Sequence, residues 1–474
     1  MGPSSSRPRC PMAVIPNFIF GPNALLSLLG LLSRPDRTVP TLTEDWRRAR
    51  VDVVIPARDE EASIAPCLAS VARQTHRPHR VILVDDGSTD RTVEAALAFA
   101  ELAGLDLTII PRVKPIGKTV TVKRQSREFD GDVEFVLDAD TILESPDYIA
   151  RCVEELYTAR GIASVSGALA PLRPVDLEAL AREGPLARLR QALPDLKAWA
   201  PPTAGQRVLR GLSNVYREAL HAFVEGFIQR GQMRAFGSVL NPAGCAVAYR
   251  RRYVKDLFDH YEPIFGDDLT KAEDIFIGLA LLHEGYRNVM LPEVVARTQD
   301  PALPELPAQQ RRWASSFFRS CADMDGLLAS PFKTPWRRAH ERRVRDSGVA
   351  ALRKVKEPYR QTWGRDYTRR FGRPIGWAVL FSAVEKAAWP LTLALLAGLG
   401  RWRPLGAVVA VECLCTFLAL LLSAGERRWT LACQGLLVTP LRYLGLVSDF
   451  LSMLAFPFRR PPDSKSWQPA RIPV

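Results

Sequence analysis

The chain has 474 residues, 47% of them apolar and 24% charged, with 64 Lys and Arg against 51 Asp and Glu for a net charge of +13. That composition belongs to a folded protein and excludes disorder, a collagen-like repeat and a single small domain; at about 150 residues per unit the length allows about three. The basic surplus alone admits nucleic acid, anionic lipid or phosphorylated substrates as partners, and eight cysteines, scattered at 10, 67, 152, 245, 321, 413, 415 and 433 without a CxxC pair, point to free thiols in a reducing compartment.

Residues 1–48 form an N-terminal membrane anchor or interfacial segment. Its uncharged stretch, 13–32, follows Arg7 and Arg9 and could pass for a signal peptide. It contains Pro16, Asn17, Pro22 and Asn23, so an uncleaved anchor that spans or lies in the interface is the preferred reading.

Residues 49–330 read as a soluble α/β domain. Val51-Asp52-Val53-Val54-Ile55-Pro56 is a β-rich run that breaks at Ala57-Arg58-Asp59-Glu60-Glu61, and helical spacing follows at Ile64, Leu68, Val71 and Ala72. A second strand, Val81-Ile82-Leu83-Val84, ends in Asp85-Asp86-Gly87-Ser88-Thr89-Asp90, and another helix runs from about Arg91 to Ala103. This order predicts a parallel sheet with ligands at the carboxyl ends of its strands. Asp85 or Asp86 there can accept the imide N–H of uracil; capping of the turn is an alternative role. Ile116-Gly117-Lys118-Thr119 looks like the end of a P-loop, but that motif needs glycine at 112, where Arg112 stands, so an ATPase reading fails. Lys118 either reaches a nucleotide from a loop or is a surface lysine.

A third strand over 133–137 delivers Asp138-Ala139-Asp140. Strand alternation puts both carboxylates on one side, about 7 Å apart, and paired hard oxygens suit Mg²⁺ or Mn²⁺ with positions left for a diphosphate. Residues 171–235, including Arg188-Leu189-Arg190, carry no assignment. At Thr270-Lys271-Ala272-Glu273-Asp274 a helix begins. Thr270 and Glu273 have capping-box spacing, which leaves Asp274 as the better general base toward an acceptor hydroxyl; Asp267 and Asp268 compete for that role. Gln309, Arg312 and Trp313, within Gln309-Gln310-Arg311-Arg312-Trp313, are spaced to share a helical face. Arg312 can neutralise a diphosphate and Trp313 can floor a sugar ring; a basic helix on a membrane surface, which Arg319 also permits, is the alternative.

The segment 331–373 is a basic juxtamembrane connector, with fourteen Lys and Arg against four acids, most of the net charge of +13. It precedes three apolar runs, 375–400, 405–424 and 429–456, within a transmembrane region over 374–456; about 20 residues suffice for one crossing. The connector fits the positive-inside rule and attraction to anionic membrane lipids. Glu385, Lys386, Glu412, Arg442 and Asp449 lie inside the runs and should face other helices or a cavity. The first run could instead be a helix packed on the soluble domain. Residues 457–474 form a tail. No zinc finger, RNP-like or helix-turn-helix signature is present, so nucleic acid is not an expected partner.

In order, VVIPARDEE, VDDGSTD, DAD, AED with Gly285-Tyr286-Arg287 downstream, and QQRRW resemble the membrane-embedded branch of the inverting family 2 glycosyltransferases, the cellulose, chitin, hyaluronan and alginate synthase-like enzymes. Lys465-Ser466-Trp467-Gln468-Pro469-Ala470-Arg471 looks like their tail motif. The resemblance is clear over about residues 50–320. It implies a GT-A domain joined to α-helical transmembrane segments in a bacterial plasma membrane, with the catalytic domain cytosolic. It also implies Asp85, Asp86 and Lys118 at the nucleotide of a UDP-sugar, Asp138 and Asp140 at its diphosphate and metal, and Asp274 as base beside Glu273. Gln309, Arg312 and Trp313 would clamp diphosphate and acceptor, and Asn241-Pro242-Ala243-Gly244-Cys245 would form the acceptor-side loop. The acceptor would be a growing polysaccharide or, in a non-processive variant, a lipid. Three or four crossings are few for a channel, so a homo-oligomer or an export partner would complete one. Asp59 where Asn is usual, AED where TED or GDD is common, and the 119–125 run depart from the pattern and leave the donor sugar open.

Overall fold

The computed structural model describes residues 18–33, 44–158, 161–182, 184–199, 203–265, 273–299, 303–346 and 365–455. Pro16, Asn17, Asp267, Asp268, Thr270 and the 465–471 motif lie outside the described residues.

Strands β1 (Val51–Ala57), β2 (Arg80–Asp85), β3 (Leu107–Pro111), β4 (Val133–Leu137), β5 (Thr141–Leu143), β6 (Ile162–Pro171), β7 (Ala246–Arg250) and β8 (Arg287–Thr298) make one sheet in the order β3-β2-β1-β4-β7-β6-β8-β5. Helix α1 (Pro22–Leu32) precedes it; α2 (Ile64–Ala72), α3 (Thr92–Ala103) and α4 (Lys118–Glu128) connect the first four strands. Those strands are parallel, as the alternation of strand and helix predicts, whereas β7 runs antiparallel to both β4 and β6. The sheet is therefore mixed. After β3 the chain returns to the other side of β1 to form β4, so the winding reverses between these two neighbours and a crevice opens at their carboxyl ends. Asp85 ends β2 and Asp138 follows β4 at this edge.

The buried strands are not uniformly apolar. Register pairs Arg80 with Asp52, Asp52 with Glu134, Glu134 with Tyr249, Tyr249 with Ser164 and Ser164 with Asn288, a polar row across six strands. At its far end Asn288 Nδ2 donates to Gly278 O at 3.0 Å, which pins the helix carrying Glu273 and Asp274. Glu134 is buried with neither carboxyl oxygen partnered, and burial holds its carboxyl well above the usual carboxylate range.

Around the sheet lie α5 (Tyr148–Thr158), α6 (Pro174–Leu180) and α7 (Pro185–Ala192), then α8 (Ala204–Phe223), which runs through a π-helical stretch, Val224–Gln229, into α9 (Arg230–Phe236). Next come α10 (Arg251–Phe265), α11 (Glu273–Glu284), α12 (Leu306–Asp323), α13 (Asp325–Leu328), α14 (Ser330–Asp346) and α15 (Arg365–Phe371). Four helices end the described chain: α16 (Gly376–Gly398), α17 (Trp402–Ser423), α18 (Arg428–Leu437) and α19 (Thr439–Ala455). One core surrounds the sheet. A second, with Phe18, Tyr216, Phe223, Phe227 and Leu420, joins the N-terminal segment and α8 to the apolar helices.

Among the described residues, α16 and α17 are long and apolar enough to cross a membrane. The third apolar run is not one straight helix: the stretch Gly425–Leu437 meets α19 at a bend of 60°. Pro440, the second residue of α19, lacks an amide hydrogen and disfavours helical geometry at the residue before it, so the run breaks here. The 11 residues of α1 extend only about 16 Å, too short for a crossing.

Four charged residues in these helices are buried in pairs: Lys386 with Asp449, and Arg442 with Glu412. Carboxylates also hold the N-terminal segment. Glu412 accepts the Phe20 N–H at 2.8 Å and Glu385 that of Asn23 at 2.5 Å, while Arg442 Nε donates to Phe18 O at 2.8 Å.

Candidate active site

Lys118 is the first residue of α4, not a loop residue as expected. Its ammonium lies 2.6 Å from Asp138 Oδ1, 2.6 Å from Glu273 Oε1 and 2.9 Å from Gly244 O. One cation thus joins the DxD strand end, the start of α11 and the loop before β7, segments far apart in sequence. Glu273 is an ion-pair partner here, beyond any capping of its own helix.

The turn after β2 prepares this arrangement. Asp86 accepts the backbone N–H groups of Ile116 and Gly117 at 2.8 and 2.9 Å and sits 3.4 Å from Arg112 Nη1. It therefore shapes the approach to Lys118. Asp85 Oδ1 accepts the Ser88 N–H at 3.1 Å. Asp59 has φ 53, in the left-handed region that Asp and Asn tolerate better than most residues. Its carboxylate takes the Thr89 N–H at 2.8 Å, tying the turn after β1 to that after β2.

Asp138 and Asp140 are both buried. The Asp138 N–H donates to Cys245 O at 2.9 Å, so the residue opposite the DxD comes from the predicted acceptor-side loop. Cys67 Sγ donates to Asp138 O at 3.5 Å, and burial together with the Asp140 and Asp138 charges pushes its thiol well up. Gly244 lies against Asp274: a Cβ at 244 would stand 2.6 Å from Asp274 Cβ and 2.8 Å from its Oδ2, so only glycine fits without displacement.

Asp274 is fully buried; Oδ1 accepts the Ile275 N–H at 2.9 Å and Oδ2 has no partner. Burial, reinforced by the Glu273 charge and only partly offset by Lys118, holds the Asp274 carboxyl well above the usual range. Burial also raises Glu273, with Lys118 pulling it back. The side chains around Lys118 carry more acid than its single charge balances.

On α12, Gln309 and Trp313 are buried whereas Arg312 is exposed. The expected common face is thus divided, because Arg312 and Trp313 are about 100° apart around the helix. Arg217 on α8 donates to Gln309 Oε1 and holds its guanidinium 5.4 Å from the Trp313 ring centroid. Gln309 Nε2 and Trp313 Nε1 remain buried donors without partners. The same helix meets the apolar bundle where Ser448 Oγ donates to Pro307 O at 3.2 Å. Sequence reading missed Arg217. Its signal is a cation within the stripe Ser213, Tyr216, Arg217 and Leu220, whose spacing marks the inner face of a helix.

The donor chemistry fits a divalent ion shared with a substrate. Asp138 and Asp140 bring hard carboxylate oxygens to one strand end, and no group of three or more His, Cys, Asp or Glu among the described residues forms a closed cage. Mg²⁺ is commonly held by one or two carboxylates plus phosphate and water.

Residues 52–173 match the model of the family described as Glycosyl transferase family 2. An N-acetylglucosaminyltransferase of Azorhizobium caulinodans is 27% identical over 278 residues, 58% of this chain and 61% of that protein. One from Sinorhizobium fredii is 27% identical over 284 residues, 59% of each. The chain therefore spans about three-fifths of the length of these curated relatives. Among solved structures, mannosyltransferase PcManGT from Pyrobaculum calidifontis, in complex with GDP-Man and Mn²⁺, is 19% identical with a TM-score of 0.48 over 93% of this chain and 95% of that one. Glucosyl-3-phosphoglycerate synthase from Mycobacterium tuberculosis, in complex with Mn²⁺, UDP and phosphoglyceric acid, is 20% identical with a TM-score of 0.35 over 60% and 87%. The matched segment includes the strand ends bearing Asp85, Asp86, Asp138 and Asp140, so this part of the chain is similar to a family 2 glycosyltransferase domain and lies on a GT-A-like mixed sheet.

Proposed function

We propose that the chain transfers a sugar, with inversion, from a UDP-sugar to the hydroxyl of a growing polysaccharide at the cytosolic face of a bacterial plasma membrane. The observation that carries this reading is Lys118 bound at once to Asp138, Glu273 and Gly244, since it unites donor-side and acceptor-side elements. Similarity to N-acetylglucosaminyltransferases makes UDP-N-acetylglucosamine the first donor to test.

In this mechanism Asp85 and Asp86 line the nucleotide, and Asp138 and Asp140 hold Mg²⁺ or Mn²⁺. A bound divalent ion supplies positive charge to the departing diphosphate. Asp274 Oδ2 takes the proton of the acceptor hydroxyl as its oxygen bonds to the anomeric carbon; the bond to UDP breaks on the opposite side, inverting the centre. Arg312 neutralises diphosphate, while Gln309 and Trp313 offer their unpartnered donors to acceptor oxygens. Lys118 and Arg217 hold these groups in register, and the Gly244–Cys245 loop covers the base.

A second reading, one transfer to a lipid acceptor, is favoured by the small number of spanning helices among the described residues. Export of a polymer through so few would call on a second copy or an export partner. Membranes containing the full chain, supplied with labelled UDP-sugars with and without Mn²⁺ or Mg²⁺, separate the readings by product size. A single-sugar lipid as the only product overturns the polymer reading, and UDP-sugar consumption that survives both Asp140→Asn and Asp274→Asn overturns the site.

A further inference from the structure

Helix α8 and the π-helical stretch after it set Arg217, His221 and Glu225 at successive turns of one face. Arg217 meets Gln309 and Trp313 on α12. Glu225 meets the sheet where two strands part. Strand β7 pairs with β6 only as far as Ser166, and beyond it the N–H groups of β6 go to side chains: Gly167 to Tyr148 Oη at 2.7 Å and Leu169 to Glu225 Oε2 at 2.8 Å. Tyr148 Oη donates in turn to Ala246 O at 2.9 Å, and Ser166 Oγ accepts the Ala243 N–H at 3.1 Å. The loop that carries Gly244 and Cys245 therefore enters the same parting that Glu225 fills.

His221 stands between these two ends. Its Nδ1 lies 3.2 Å from Glu225 Oε1, and the residue is only 4% exposed. An ionised carboxylate can only accept, so Nδ1 carries the hydrogen, and the neutral ring presents a bare Nε2 on the side away from Glu225. That nitrogen is buried without a partner. An unpaired buried acceptor costs free energy that an apolar side chain would avoid, so it marks a place for a donor from outside the chain. Along α8 and α12 the unpartnered groups are then of both kinds: Gln309 Nε2 and Trp313 Nε1 donate, and His221 Nε2 accepts. Diphosphate oxygens only accept and would leave Nε2 unpaired. A sugar ring has hydroxyls that both donate and accept, and an apolar face for an indole.

We propose that His221 is a binding residue for the acceptor sugar, its Nε2 taking the hydrogen of a ring hydroxyl, and that Glu225 is the positioning residue that fixes its tautomer. The proposal rests on the sugar-transfer reading and adds α8 to the walls of that site.

The test uses the full chain in lipid nanodiscs, with UDP-N-acetylglucosamine as donor and tri-N-acetylchitotriose as acceptor. His221→Phe should raise the KM of the oligosaccharide about tenfold, the loss of one buried hydrogen bond, and leave the KM of the donor where it was. UDP released per sugar transferred should climb, as water takes the place of the acceptor. His221→Gln, which can put an amide oxygen near the place of Nε2, should restore most of the acceptor affinity. Glu225→Gln can keep the bond to Leu169 but offers an N–H to Nδ1, which moves the ring hydrogen to Nε2; it should raise the same KM, and it serves as the test if His221→Phe fails to fold. An unchanged oligosaccharide KM in the folded variants overturns the proposal. So does an equal rise in the donor KM, which would make the change a general loosening of the site. A parent chain whose transfer survives both Asp140→Asn and Asp274→Asn overturns the sugar-transfer site itself, and this proposal with it.

Discussion

The strand-edge site and the apolar bundle both bury charge, but they balance it differently. In the bundle each buried cation has its own carboxylate, Lys386 with Asp449 and Arg442 with Glu412, and the remaining acceptor capacity, on Glu385 and Glu412, takes N–H groups of the N-terminal segment. At the strand edge one cation, Lys118, serves two carboxylates and a carbonyl, and Asp274 Oδ2 is left over. A closed pair holds helices in register; an acid excess beneath a cleft stores a demand for a proton or a metal. The difference makes one region a staple and supports the proposal that the other is the reaction centre.

Five outcomes would sharpen or break that contrast. Asp274→Asn should lower transfer by about 10²–10⁴-fold while the melting temperature holds or rises, because a buried acid is removed; loss of folding instead of activity would make Asp274 structural. Next in size, Arg442→Met should cost about 3–5 kcal/mol by stranding Glu412, and Arg442→Met with Glu412→Leu should recover most of it, measured by thermal unfolding in detergent. The parallel double change Lys118→Met with Glu273→Leu should recover stability without activity. If activity also returned, the two regions would differ only in location.

A smaller effect concerns pH. Because the Asp274 carboxyl is held high, the base becomes competent only as pH rises past the ordinary carboxylate range, and kcat/KM should climb there. Glu273→Gln removes a charge that contributes to this elevation, so the rise should move to lower pH. An unmoved profile would detach the limb from Asp274. Smallest is Glu134→Gln. The folded-state value of Glu134 is raised, so its stabilising contribution is complete at acid pH and lost as pH climbs through that value. Variant and parent should melt alike in acid, with the variant more stable in alkali by about 1 kcal/mol or more.

What could be read in the sequence was local. The strands ending at Asp85 and Asp138 and the helix after Ile64 follow from runs of five to ten residues, as does the placement of Gln309 and Trp313 on one helix. Antiparallel β7 is a long-range decision, made by pairing Ala246 with Leu137, and no local pattern encodes it. The same holds for Lys118, whose partners Asp138, Gly244 and Glu273 are brought together by three different elements. Arg217 looked like one basic residue among several until α8 buried it against α12. The break at Pro440 has a local cause, a proline inside a run whose apolar length alone reads as one crossing.

The contacts of the N-terminal segment also set an order of assembly. Phe18, Phe20 and Asn23 leave the ribosome well before their partners Arg442, Glu412 and Glu385, which follow 424, 392 and 362 residues later. The segment must wait, with its backbone groups solvated elsewhere, until α16, α17 and α19 arrive. Helix α19 supplies the latest of these contacts, so synthesis through α19 becomes a structural condition on the segment: a chain halted after α17 would hold Asn23 and Phe20 through Glu385 and Glu412 but leave Phe18 without Arg442.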